Sequence, residues 1–281
     1  MSLLPRRVLV IGLDCAEPSL VFDRWKNDLP TLSRLAGTGV YGQLESCHPP
    51  ITVPAWSSML TSRDPGQLGF YGFRNRADHS YDKLTVANGT AVHFPRVWDT
   101  LSEAGKQCVV VGVPQTYPVR PVNGNLISCF LTPPNAEQWT YPKSLAAEVT
   151  GVLDGEPYEF DVKNFRTDDR AWLLDAIYEM TRKRWRVLNH LIETKPWDFF
   201  MTVEMGTDRI HHGFWSMMDS EHFRYVPGNE FENAIHDYYV FLDGEIARLL
   251  EKVGDETIVV VVSDHGIKRM DGGFCVNQWL Q

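Results

Sequence analysis

Long apolar runs are missing from this chain. No stretch of its 281 residues approaches the roughly 20 consecutive apolar side chains that a membrane helix needs, so no membrane partner is expected. A basic excess is missing too. Lys and Arg number 27 against 36 Asp and Glu, a net charge of −9. That disfavours the broad cationic surface by which proteins hold nucleic-acid polymers. An acidic protein that handles anions needs local positive charge, which a bound metal supplies. Cysteines are few: five, an odd number, with no CxxC spacing. That pattern points to reduced thiols in a cytoplasmic protein. No signal peptide is expected, because the apolar run after Arg6 and Arg7 already stops at Asp14. Internal repeats, low-complexity tracts and flexible linkers are absent as well.

What is present is a set of apolar runs that end in acidic residues. Residues 257–262, TIVVVV, run straight into Ser263, Asp264, His265 and Gly266. A continuous β-branched run suits a central parallel strand covered on both faces. Residues 8–13 form a second such run, ending at Asp14. Residues 199–203 form a third, followed by Asp208 and His212. Strands are also expected at 40–46, 107–113 and 126–131. Short helices are expected at 18–25 and 30–36, and further helices at 95–104 and 143–153. Two long amphipathic helices follow, at 171–193 and 229–253; the aromatic and Met residues of the first belong to its core face. Strands separated by helices predict an α/β fold, with a mostly parallel central sheet and helices on both faces. One domain is expected over 1–281. Residues 114–170, rich in proline, are expected to be an insertion covering the carboxyl edge of the sheet.

In open α/β sheets that edge is where ligands bind. The donors gathered there are Asp14, Asp208, His212, Asp264 and His265. Carboxylate oxygens and imidazole nitrogens form a common donor set for Zn²⁺ or Mn²⁺. Asp208 and His212 are four apart, so a helical turn puts them on one face. Thr52 opens the helix expected from Thr52-Val53-Pro54 to about residue 61. Its hydroxyl has two readings, an N-cap or a nucleophile in the positive potential of a helix start. Arg63 and Lys268 are candidate contacts to substrate phosphate, although a solvated loop also explains Lys268. His236 and Asp237 read as an ordinary helix-surface pair.

Asp14 after the first strand, T-x-P at Thr52, D-x-x-x-H at Asp208 to His212 and D-H-G at Asp264 resemble, as a set, the alkaline phosphatase superfamily. Within it they resemble the type I phosphodiesterase/nucleotide pyrophosphatase family. Each piece is weak alone, but the order and spacing match across almost the whole chain. The resemblance implies a phosphate ester hydrolase that acts on a small molecule. It also implies two divalent metals, zinc or manganese. Asp14, Thr52, Asp264 and His265 would hold one; Asp208, His212 and a further histidine would hold the other. Thr52 would be the nucleophile. Two features depart from the family. No histidine follows His265, so the second site is expected to be incomplete here and the chain to be a fragment, unless His211 completes it. Ala55 and Trp56 stand where nucleotide pyrophosphatases usually carry a phosphate-binding asparagine. A sulfatase would need C/S-x-P-x-R, and a phosphomutase usually has serine as nucleophile. A phosphomonoesterase and a non-catalytic phospho-ligand binder remain as alternatives.

Overall fold

Strand β1 (Val8–Leu13) is the last strand but one of a six-stranded sheet. The computed structural model describes residues 7–78, 80 and 82–280. From β1 the chain passes a five-residue π-helical turn (Leu20–Arg24), then α1 (Pro30–Thr38), α2 (Thr52–Thr61) and α3 (Pro65–Leu68). A separate antiparallel hairpin, β2 (Arg74–Arg76) and β3 (Leu84–Val86), precedes α4 (Val97–Glu103). Next come β4 (Cys108–Val111), β5 (Gly124–Ile127), β6 (Thr140–Tyr141) and α5 (Leu145–Val152). The second half runs α6 (Arg170–Thr194), β7 (Phe199–Glu204), α7 (Gly206–Met218), α8 (Ala234–Leu250), β8 (Ile258–Val262) and α9 (Val276–Trp279).

Every pairing in the main sheet is parallel except β5 with β6. The chain leaves β1 for β4, works outward to β6, and returns to insert β7 between β4 and β1. It then crosses β1 to form β8. Leu13 pairs with Glu204 and Gly12 with Val262, so Asp14, Glu204 and Asp264 leave the sheet at one edge. Successive strand residues point to opposite faces, and here that sorts the helices. A Cβ on Gly12 would come within 2.5 Å of the Trp56 ring and 2.9 Å of Val203, so α2 covers that face. Glu204, the next residue along, accepts a hydrogen bond from Trp185 of α6 on the other face. The helices therefore flank a mostly parallel sheet on both sides. Leu9, Ile11 and Leu13 of β1 are buried, each such side chain stabilising by ~1.5–3 kcal/mol. Asp243 of α8 accepts the backbone N–H groups of Thr31 and Leu32 at 2.9 and 2.8 Å, which satisfies the start of α1.

Three expectations need correction. Residues 40–46 are not a strand: Val40 and Leu44 are exposed, and Gly42 interrupts the segment, which has no continuous apolar face to bury. β8 is an edge strand rather than a central one. Ile258 and Val260 are 43% and 39% exposed; a β-branched run favours strand whether or not both faces are covered. Residues 114–170 are not wholly a cover. β5 and β6 extend the sheet, α5 packs on α6, and only the later part turns toward the carboxyl edge.

Candidate active site

Asp14 follows β1 directly, and Asp264 stands opposite it after β8. Both are buried. The turn after β1 is locked to the turn after β8 by two backbone donors. Cys15 N–H reaches Asp264 Oδ1 at 3.2 Å, and Ala16 N–H reaches Ser263 Oγ at 2.9 Å. Cys15 adopts a positive φ of 63°, which lets the chain reverse at once. From the other side Ser46 Oγ donates to the Asp264 carbonyl at 2.6 Å. His265 Nε2 lies 3.4 Å from Asp264 Oδ2 and 3.8 Å from Asp14 Oδ1.

Thr52 is the first helical residue of α2, not its cap. Ile51 holds the cap position, and it makes no side-chain capping bond. The Thr52 hydroxyl instead points into the acidic group, 3.4 Å from Asp14 Oδ1 and 3.3 Å from His265 Nε2. One turn on, the Trp56 indole donates to Asp14 Oδ2 at 2.7 Å. Of the two readings of Thr52, the cap is therefore set aside.

Asp208 lies in the first turn of α7. Glu204 fixes that turn by accepting the Gly206 N–H at 2.7 Å. Asp208 Oδ1 lies 3.4 Å from His212 Nε2, and Oδ2 accepts from Arg209. Arg209 also forks onto Asp161, with Nε to Oδ1 at 2.7 Å and an Nη to Oδ2 at 2.8 Å, and stacks 4.2 Å from the centre of Phe165. Asp161 belongs to the segment before α6, so this ion pair ties that segment to the site.

The electrostatics divide the carboxylates. Burial pushes Asp14 well above the usual carboxylate range, with Asp264 and Asp208 nearby adding to the rise. Burial likewise pushes Asp264 up to about 8. Burial would raise Asp208 too, but the His212 hydrogen bond and the Arg209 charge outweigh it and hold Asp208 at about 2. Ligand atoms of Asp14, Asp264 and His265 all lie within 4.8 Å of one another, and Asp264 Oδ2 is buried without a hydrogen-bond partner. Two buried carboxylates short of positive charge, one with an unsatisfied oxygen and both beside an imidazole, fit a divalent cation.

The structure thus brings Asp14, Thr52, Asp264 and His265 together, with Asp208 and His212 paired beside them. Arg63 is elsewhere. It follows the far end of α2, on the order of 15 Å along the helix axis from Thr52, and stacks on Phe94. Lys268 is exposed past Gly266. His211 stacks on Tyr239 and shares a 3.3 Å hydrogen bond with its hydroxyl; burial lowers its imidazole to about 3, so it is a neutral core residue. Sequence reasoning missed Trp56, Arg209 and Asp161. Only the i,i+4 spacing of Trp56 from Thr52 could have signalled any of them.

A doubly wound sheet with these motifs at one edge defines the alkaline phosphatase class of fold. Solved structures agree. The phosphonoacetate hydrolase from Sinorhizobium meliloti 1021 in complex with phosphonoformate superposes with a TM-score of 0.58 at 20% identity, over 93% of this chain and 56% of that one. Its complex with phosphonoacetate gives 0.59 at 19%, with the same coverage. A 2-O GAG sulfatase gives 0.54 at 13%, over 94% of this chain and 58% of that one. At such identities the likeness is one of fold, and the chain spans a little over half the length of these neighbours. The type I phosphodiesterase/nucleotide pyrophosphatase family model matches residues 8–281, and the chain belongs to that family. No curated protein matches the sequence.

Proposed function

We propose that the chain is a metal-dependent phosphoric ester hydrolase of phosphodiesterase type, acting on a small-molecule ester with Thr52 as nucleophile. The observation that carries this is the Thr52 hydroxyl, buried and turned away from its own helix toward Asp14 and His265. Asp14, Thr52, Asp264 and His265 would hold one divalent ion; Asp208 and His212 would contribute two donors to another. Bound there, such ions would supply the positive charge that draws in a phosphoryl group and favours an ionised nucleophile. Asp14 Oδ1, accepting from the hydroxyl, orients the Thr52 oxygen for attack. Thr52 Oγ forms the bond to phosphorus as the bond to one ester oxygen breaks, the hydroxyl proton leaving with that departing alcohol; water then cleaves the bond to Thr52 and releases the phosphomonoester that keeps the second ester group. Arg209 holds Asp208 ionised through the cycle.

The test is a panel of aryl phosphodiesters, phosphomonoesters and phosphonate monoesters, assayed with Zn²⁺ or Mn²⁺ and again in EDTA. Diester hydrolysis that needs metal and is lost in Thr52→Ala is the expected result. Turnover that survives either EDTA or Thr52→Ala overturns the reading.

A further inference from the structure

Trp56 is one turn beyond Thr52 in α2, so the two side chains share a face. They meet different oxygens of one carboxylate. Asp14 Oδ1 lies 3.4 Å from Thr52 Oγ1 and 3.8 Å from His265 Nε2, while Oδ2 takes the indole N–H at 2.7 Å. Trp56 and Asp14 are both fully buried. The indole gains its place because residue 12 of β1 has no side chain, as the 2.5 Å approach to a Cβ there demonstrates. The terminal torsion of an aspartate is broad and roughly two-fold, so an unheld carboxylate can present either oxygen or both. A short N–H bond to one oxygen removes that freedom.

We propose that Trp56 is a positioning residue for Asp14, holding Oδ2 so that Oδ1 alone faces Thr52, His265 and the cation the group takes. This rests on the metal-site part of the reading above, not on the identity of the nucleophile. Partners one step removed from a metal typically set its affinity by 10- to 100-fold.

The experiment uses the full 281-residue chain. Mn²⁺ is titrated at fixed pH, with free Mn²⁺ followed by electron paramagnetic resonance. Trp56→Phe keeps a ring beside Gly12 but loses the donor, and is expected to bind Mn²⁺ roughly 10- to 100-fold more weakly. Trp98→Phe is the control. Trp98 is equally buried but its Nε1 has no partner, so its affinity should match wild type. A second measurement does not depend on Trp56→Phe folding. In Asp14→Ala, one indole N–H cross-peak of the metal-free protein should move upfield as its acceptor is lost. Wild-type Mn²⁺ affinity in Trp56→Phe, or no indole shift in Asp14→Ala, overturns the proposal. A chain that binds Mn²⁺ with the expected Trp56 dependence yet hydrolyses no ester sinks the catalytic reading and leaves this one standing.

Discussion

A hydroxyl that opens a helix usually turns back on its own backbone, and Thr52 does not. Removing it therefore costs no capping bond. Thr52→Ala is expected to melt within a few degrees of wild type while turnover falls by more than about 1000-fold; Thr52→Ser should recover part of it. Calorimetry and an aryl-diester assay read the two halves separately. The carboxylates give a pH signature. The folded chain holds an extra proton on Asp264 between its ordinary 3.8 and about 8. The folded state then binds more protons than the unfolded, so metal-free stability falls as pH rises through that window. Asp208 works in the opposite sense. Held at about 2, it contributes stability above its ordinary range that is lost as pH falls toward 2. Thermal melts in EDTA should decline from about pH 6.5 to pH 8, above the range in which buried His211, lowered to about 3, works in the opposite sense, and a steady rise there would contradict the burial of Asp264. Asp14, Thr52, Asp264 and His265 were legible in sequence because each follows an apolar run or a proline-marked helix start. Trp56 was not, since a tryptophan in an apolar helix looks like core until its N–H is seen to have an acceptor. That a whole helix separates Arg63 from Thr52 was not legible without the structure.

The long elements were legible and the short ones less so. α6 and β7 fall close to where periodicity and apolar runs put them, because 25 and 6 residues of consistent pattern leave little choice. Residues 40–46 carry Val40 and Leu44 on either side of Gly42, too little to hold a strand without a partner. The run in β8 said strand, but a sequence cannot say which strands flank it. Gly12 shows how an element can depend on an absent side chain. Gly12→Ala would push a methyl into the Trp56 ring and Val203, and overpacking of this kind costs ~1–3 kcal/mol. Urea unfolding should show that loss as a lower midpoint with an unchanged slope. Ala accepted there at no cost would mean that the indole has room to move.

For the molecule as a whole, bound metal and folding are linked. A cation that binds only the folded chain stabilises it by about 2.7 kcal/mol at 100 times its Kd. Mn²⁺ should therefore raise the melting temperature and flatten the pH dependence described above, while EDTA reverses both. Equilibrium dialysis should find one ion held tightly by the Asp14 group and a second held weakly, since Asp208 and His212 supply only two donors, one already paired with Arg209. Two equally tight ions would refute that ranking. The pairing of β1 with β8 has a kinetic meaning as well. Cys15 and Asp264, bonded across that seam, are 249 positions apart in the chain. Closing so large a loop is slow, and until it closes β1 presents a bare edge to any other strand it meets. Refolding should show most of its helical signal well before Mn²⁺ can bind, and the interval between the two should be when the chain is most prone to aggregate.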